Sequence, residues 1–142
     1  MSEAGARAPI VRSALEAAVT GDEALVERVY TDDVTGWSPT ATASSRADLL
    51  ADLRGRKGTF SDVDLALDAV DEVGDKVIAE WRVAATHTGA LELEDLWLEP
   101  TGRRVELRGV MIAEFEGDRI KRFRQYWDEV ALLEGLGLLP ED

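Results

Sequence analysis

The hydrophobic pattern changes its period once along this 142-residue chain, and that change limits the folds the chain can adopt. Up to about residue 55, apolar residues recur at the three-to-four-residue spacing of amphipathic helices. Beyond Gly58 they alternate with polar residues, as in strands that have one exposed face. Helices followed by hairpin-linked strands predict an α+β fold, with the helices packed on one face of an antiparallel sheet.

Capping residues predict where the helices begin. A first helix is predicted over residues 10–19, and Thr20 with Glu23 has the spacing of a capping box for a second. Ser45 with Asp48 repeats that spacing before a third helix. The intervening stretch, residues 31–45, contains Gly and Pro and is interpreted as a short strand or loop.

The alternating half of the chain predicts about five strands and a closing helix. The strands are expected around residues 63–67, 77–87, 91–98, 105–115 and 120–128, and the helix over 129–137. A sheet of this length usually curls. With helices across its concave side it encloses a pocket, which is the usual place for an apolar ligand.

The only histidine continues an apolar face. Residues 77, 79, 81, 83 and 85 are all apolar and share one parity with His87, so they line one side of a strand. In one interpretation His87 faces the pocket and exchanges protons there. In the other it is a structural group bonded to backbone at the strand end.

Charge and composition exclude several classes of function. The net charge of −13 repels nucleic acid and anionic membrane surfaces. Residues 103–124 are an exception with seven basic and four acidic side chains. They are interpreted as a solvated strand face with paired charges, or alternatively as an anion-binding rim.

Metal, disulfide and membrane functions are not expected either. The chain has no cysteine, and one histidine among scattered carboxylates does not form a zinc-type spacing. No run approaches the ~18 apolar residues of a membrane helix, and the N-terminus lacks the apolar core of a signal peptide. A cytoplasmic protein with no membrane partner is therefore expected.

Several stretches in this order resemble the SnoaL-like branch of the nuclear transport factor 2-like (NTF2-like, cystatin-like) superfamily. They are "YTDDVTGWSP", "EWRVAATHTG", "PTGRRVELRGV" and "FEGDRIKRFRQYWDEVALLEGLG". The resemblance covers about residues 10–139. It implies a single SnoaL-like domain over residues 1–142 with a flexible N-terminus over 1–8. It also implies a cone-shaped fold with an internal pocket, and a homodimer formed through the outer face of the sheet.

The resemblance implies a function as well. The best-known enzymes of the family are cofactor-free polyketide cyclases that close a ring by intramolecular aldol addition, with a pocket aspartate as acid/base. Other members are isomerases, epoxide hydrolases or proteins without known catalysis. The chain is thus expected to bind a hydrophobic small molecule, and to act as a cofactor-independent cyclase or isomerase on a carbonyl compound. The alternative is a non-catalytic ligand-binding or dimerisation module.

Two candidate catalytic residues follow from this resemblance. Asp128, in "YWD", occupies the place of an acidic residue near the pocket of many relatives, and His87, in "THTG", matches a common family histidine. A carboxylate in an apolar pocket has a raised pKa and can abstract a proton next to a carbonyl. The alternative for Asp128 is that it only caps the last helix.

The substrate-binding candidates depend on which face of the last strand is inside. Arg124, Tyr126 and Asp128 share one face, and Gln125 lies on the other. If the first face is inside, Tyr126 adjoins Asp128 and Arg124 could bind an anionic oxygen. If the second is inside, Gln125 is the polar group in the pocket.

From these options a site is predicted that combines both catalytic candidates with aromatic walls. His87, Tyr126 and Asp128 form its polar part, and Trp37 and Trp81 form the walls that hold a flat substrate.

Overall fold

The structure, a computed structural model, describes residues 6–55, 57–93 and 96–138. The helices are α1 (Ala8–Thr20), α2 (Glu23–Val29), α3 (Arg46–Arg54) and α4 (Glu129–Gly135). The strands are β1 (Tyr30–Trp37), β2 (Thr42–Ala43), β3 (Phe60–Val73), β4 (Lys76–His87), β5 (Leu91–Leu93), β6 (Leu96–Leu98), β7 (Arg104–Glu116) and β8 (Arg119–Trp127). The predicted α+β class, with N-terminal helices and a curved open sheet, is confirmed.

The predicted start of α2 is two residues too early. Asp22, not Thr20, is the N-cap, and its carboxylate accepts hydrogen bonds from the backbone N–H groups of Ala24 and Leu25. Thr20 is still the last residue of α1 and donates to the carbonyl of Glu16. The left-handed turn at Gly21 (φ 75°) separates the two helices, which moves the cap beyond it.

The α3 cap agrees with the sequence pattern. The hydroxyl of Ser45 accepts from the backbone N–H of Asp48 at 3.1 Å, and the Asp48 carboxylate reaches back to the N–H of Ser44 at 2.9 Å. A flexible terminus was predicted over residues 1–8, and residues 1–5 of it lie outside the described residues. Ala8 already begins α1, and Arg7 donates to the carbonyls of Gly74 and Gly117.

The main sheet has six strands in the order β2-β1-β8-β7-β4-β3, and β1 runs parallel to β8. Two sequence predictions differ from this. Residues 31–45, expected to be a short strand or loop, include all but the first residue of the eight-residue strand β1. The register of β1 on β8 shifts between Tyr30 and Thr35, so its alternation is interrupted. Residues 91–98 are not one strand of the main sheet: β5 and β6 pair with each other in a hairpin of their own.

The hydrophobic core lies between the helices and the concave face of the sheet. The apolar parity of β4 is on that face, and Val77, Ala79, Trp81 and Ala85 are all buried. The convex face carries charges that pair across strands, such as Arg82 with Asp68 and Arg104 with Asp64, both at 2.8 Å. Of the seven basic side chains in residues 103–124, Arg104 and Arg122 form ion pairs, the latter with Glu114 at 3.8 Å.

Within the described ranges, no helix is long and apolar enough to cross a membrane.

Candidate functional site

A cavity of about 200 Å³ lies inside the curved sheet. Its walls come from α1, α3, α4, the β1–β2 turn and the strands β3, β4, β5, β7 and β8, and they are mostly apolar. The apolar contributors include Leu15, Val19, Val83, Leu107 and Leu132. A concave, apolar space with few polar groups is the usual form of a small-molecule site.

One polar pair is buried in this wall. The indole Nε1–H of Trp81 donates to Oε1 of Gln125 at 3.0 Å, and the two residues are only 5% and 6% exposed. An indole N–H can only donate, so this bond fixes the carbonyl oxygen of Gln125 toward Trp81 and turns the amide Nε2 the other way.

The amide Nε2 of Gln125 has no hydrogen-bond partner among the described residues. It is also not fully buried. Among the described residues, the side-chain nitrogen or oxygen that is both fully buried and without a partner is Nε2 of His87, and Nε2 of Gln125 does not share that property. Gln125 lines this cavity, so its accessible, unpartnered N–H₂ is available at the cavity wall. The cavity therefore contains a hydrogen-bond donor on an apolar wall.

Gly109 makes room for the Trp81 indole. In the sheet Trp81 is opposite Gly109, which in turn is opposite Trp127. A Cβ at Gly109 would lie 2.3 Å from Cζ2 of Trp81 and 2.3 Å from the carbonyl oxygen of Tyr126. Without it the two tryptophan rings approach edge to face at 6.4 Å. This contact was not predicted, although the sequence contains a signal for it. An isolated glycine inside a strand often marks such a close approach.

The structure decides between the two faces of β8. Gln125 and Trp127 line the cavity. Tyr126 points to the convex face, is 44% exposed and packs at 5.2 Å against Trp37, which is itself 42% exposed. Arg124 shares the parity of Tyr126 and is not on the cavity wall. Of the predicted substrate-binding residues, Trp81 and Gln125 are therefore at the cavity, and Trp37, Arg124 and Tyr126 are not.

Asp128 lies outside this cavity and caps α4. Its Oδ1 accepts from the backbone N–H of Ala131 at 3.1 Å, and the residue is exposed. The side chain lines a second opening, which shares Leu65, Val83 and Leu107 with the wall of the central cavity, but it is not on the wall of the central cavity itself. The geometry thus favours the capping alternative and does not support Asp128 as a base in this cavity.

His87 is fully buried but is not on the cavity wall. Its Nδ1 accepts from the backbone N–H of Thr101 at 3.1 Å and lies 2.9 Å from the Thr101 hydroxyl. Because a backbone N–H can only donate, the ring proton is on Nε2. Burial lowers the pKa of His87, so the ring is neutral.

His87 holds the turn before β7 in place. Its backbone N–H donates to the carbonyl of Arg103 at 2.8 Å, and its carbonyl accepts from the N–H of Gly102 at 2.9 Å. Its ring lies 5.8 Å from Phe60, which does line the cavity. The predicted combination of His87, Tyr126 and Asp128 is therefore not brought together.

Two polar residues of the cavity wall were not identified from the sequence. They are Thr40, in the β1–β2 turn, and Asp52, on α3. Neither belongs to a recognisable motif, so only the three-dimensional arrangement reveals them. Among the residues in the described ranges, no cluster of three or more acidic or histidine side chains could hold a metal ion.

Comparison with known proteins identifies the family. Residues 11–123 match the family model of the SnoaL-like domain, which is most of the chain. The chain belongs to the SnoaL-like domain family. No functionally curated protein matches it significantly in sequence.

Solved structures of similar fold span nearly the whole SnoaL-like chain. AclR, a proposed hydroxylase from Streptomyces galilaeus, is 25% identical with a TM-score of 0.75, over 96% of this chain and 87% of its own. TsrD from Streptomyces laurentii is 21% identical with a TM-score of 0.77, over 98% and 99%. IdmH, a proposed polyketide cyclase from Streptomyces antibioticus, is 20% identical with a TM-score of 0.72, over 92% and 98%. At these identities TsrD and IdmH support the fold alone.

Proposed function

We propose that this SnoaL-like protein binds a small, largely apolar carbonyl compound in its central cavity. The observation that carries the proposal is the free amide Nε2 of Gln125 on an otherwise apolar wall. A carbonyl oxygen would accept from this N–H₂ while the hydrocarbon part fills the space between α1 and the sheet. The hydrogen bond to Trp81 holds the donor in place before the ligand arrives, which lowers the entropy lost on binding.

The size of the cavity limits the ligand. An apolar protein cavity of about 150 Å³ holds one benzene molecule. The cavity here, about 200 Å³, therefore suits a molecule of one or two rings and not a larger polycycle. The likeness to AclR, a proposed hydroxylase, supports an oxygen-bearing organic compound as the ligand class.

The binding test uses a matched pair of ligands. 1-Tetralone and tetralin share the same bicyclic skeleton, and only 1-tetralone has a carbonyl. Calorimetric titration should show that Gln125→Met weakens 1-tetralone binding by about tenfold, the usual value of one hydrogen bond, and leaves tetralin binding unchanged. Equal affinities of the wild type for the two ligands, or an equal loss for both in the variant, would refute the proposed role of Gln125.

A second candidate function is a cofactor-independent cyclase or isomerase, and the position of Asp52 favours it. Asp52 is the carboxylate on the wall of the central cavity, on the opposite side from the sheet. A carboxylate that takes the α-proton of a ketone, with an amide N–H donating to the enolate oxygen, is the minimal machinery for enolisation. In this proposal Asp52 replaces Asp128 as the proton acceptor, and Gln125 replaces His87 as the donor to the enolate oxygen.

Hydrogen exchange tests this candidate directly. In deuterium oxide, the wild type should accelerate the exchange of the α-protons of 1-tetralone, as followed by mass spectrometry. Asp52→Asn should abolish the acceleration, whereas the matched change Asp128→Asn, outside the cavity, should retain it. Binding of 1-tetralone without any acceleration by the wild type would leave a non-catalytic binding protein.

We also propose that the chain forms a homodimer through the convex face of the sheet. Tyr126 lies opposite Val110 there, and the neighbouring pair is Ile112 with Ile78. These side chains and Trp37 form a partly exposed apolar patch, here called the convex patch. A second copy of the chain would cover it.

A further inference from the structure

A second, smaller compartment adjoins the central cavity behind Gln125. It measures about 60 Å³ and shares Gln125, Trp127 and Asp52 with the wall of the central cavity. Its remaining walls come from α1, β1, the β1–β2 turn, β2, α3 and Phe123 of β8, and they include the polar side chains of Tyr30, Ser38, Thr42 and Asp48. Gln125 therefore stands at the boundary between the two spaces.

Two polar side chains of this compartment, Ser38 and Asp48, are already engaged in local hydrogen bonds. The hydroxyl of Ser38 donates to the carbonyl of Ala41 and accepts from its backbone N–H at 3.2 Å each. The carboxylate of Asp48 accepts from the N–H of Ser44. These groups serve the local turns and are not available in full to a ligand.

Tyr30 is different, because its hydroxyl has no hydrogen-bond partner among the described residues. The residue is only 5% exposed, and its ring packs against Phe123 at 5.5 Å between centroids. The hydroxyl is nevertheless not among the fully buried atoms without a partner, so it must contact open space. Tyr30 lines the small compartment. Buried polar groups are normally hydrogen-bonded, so a buried phenol without a protein partner is expected to bond to a ligand or to water.

The Tyr30 phenol is suited to hydrogen bonding in its neutral form. Burial raises its pKa far above the usual value of 10.0, so the hydroxyl keeps its proton throughout the physiological range. A neutral phenol both donates and accepts one hydrogen bond with a ligand oxygen.

We infer that the ligand carries a second oxygen substituent, which enters the small compartment and hydrogen-bonds the Tyr30 hydroxyl. This inference rests on the proposed function, since it places the ligand carbonyl at Gln125. Liquid water occupies about 30 Å³ per molecule, so a 60 Å³ space holds a hydroxyl, a second carbonyl or a methoxy group but not another ring. The ligand class becomes a one- or two-ring ketone with a second oxygen function.

The test compares 1-tetralone with its four aromatic-ring hydroxy isomers on the wild-type protein. At least one isomer should bind about tenfold more tightly than 1-tetralone, the usual gain from one satisfied hydrogen bond. This comparison needs no variant, so it does not depend on whether a mutant folds. If no isomer binds more tightly than 1-tetralone, the inference is wrong.

The variant Tyr30→Phe then assigns the gain. It should remove the advantage of the preferred isomer while leaving the affinity for 1-tetralone unchanged, because the ring and its contact with Phe123 are retained. An equal loss for both ligands would show that Tyr30 acts only through packing. The thermal midpoint of the variant, measured in parallel, verifies that it is folded.

Gln125→Met separates this inference from the proposed function. It should weaken every ketone of the panel, hydroxylated or not. If it weakens none of them, the proposed function fails and this inference fails with it. If it weakens all of them while Tyr30→Phe has no isomer-specific effect, only the inference about Tyr30 fails.

Discussion

At the scale of single residues, the roles follow from what each polar atom already binds. Gln125 has one half of its amide engaged by Trp81 and the other half free, so it can recognise a ligand. The carboxylate of Asp128 accepts a hydrogen bond from the first turn of α4, and Nδ1 of His87 accepts one from the backbone N–H of Thr101. The candidates expected from the sequence, Asp128 and His87, are therefore not the ones whose polar atoms are available to a ligand.

His87 should make the stability of the protein depend on pH. Its pKa is lowered in the folded state, so the neutral ring favours folding above its usual value of about 6.5, and this contribution is lost as pH falls below it. Between pH 7 and pH 5 the free energy of unfolding of the wild type should fall more steeply than that of His87→Gln. One proton limits the difference in slope to about 1.4 kcal/mol per pH unit.

Urea unfolding of both proteins at a series of pH values measures this difference. Asp68, whose pKa is lowered chiefly by its hydrogen bond with Arg82, acts at a lower pH, as its contribution is lost below about 4. It therefore does not obscure the histidine. Parallel profiles for the wild type and His87→Gln would contradict a neutral, buried His87.

The cap assigned to Asp128 gives a second prediction at this scale. Asp128→Ala should lower the free energy of unfolding by about 1 kcal/mol, and Asp128→Asn by much less, because asparagine caps nearly as well. The binding of 1-tetralone should change in neither variant. A loss of binding in Asp128→Asn with unchanged stability would return Asp128 to the site.

At the scale of elements, β4 and β8 differ in how much their sequences reveal. Along β4 only one parity is uniformly apolar, so the inner face was predicted, and the buried Val77, Ala79 and Trp81 lie on it. Along β8 aromatic and polar residues occur on both parities, so the pattern alone did not choose between Gln125 and Tyr126, and the site predicted from the sequence placed Tyr126 inside. Tertiary packing decides such a strand, and the sequence of the strand alone cannot.

The close approach of β7 to Trp81 is testable. Gly109→Ala would place a Cβ 2.3 Å from the indole and from a backbone oxygen, so Trp81 must move away from Gln125. We expect a destabilised but folded protein, lower by roughly 1–3 kcal/mol as for other overpacked cores, with weaker binding of 1-tetralone. Chemical denaturation and calorimetry measure the two effects. As a control, Gly102→Ala meets no atom within 4 Å and should leave binding intact, although its φ of 68° makes it mildly strained.

At the scale of the whole molecule, the order of elements was sufficient to predict the α+β class and the internal pocket. The sequence did not reveal β1 as a full strand, because its contact with β8 is long-range and interrupted by a register shift. The sequence also did not show that β5 and β6 pair with each other and not with the main sheet. The apolar residues of this hairpin are of the same strand-forming types as those of the main sheet. Local patterns predict elements, whereas pairing depends on distant partners.

The proposed homodimer belongs to this scale. Val110→Glu places a carboxylate in the convex patch, directly opposite Glu80, and should convert a dimer to a monomer at micromolar concentration. The same change at Val73, which is 65% exposed at the β3–β4 turn, should leave the dimer intact. Sedimentation velocity distinguishes these outcomes, and a monomeric wild type would rule out the proposal.

The most direct measurement of the central claim is a crystal structure of the protein with 1-tetralone bound. We predict that the bicyclic skeleton lies between α1 and the sheet, with the ketone oxygen within about 3.2 Å of Nε2 of Gln125. The bond from Trp81 to Oε1 of Gln125 should persist in the complex. An ordered ligand elsewhere, or one in the cavity with its oxygen turned away from Gln125, would contradict it.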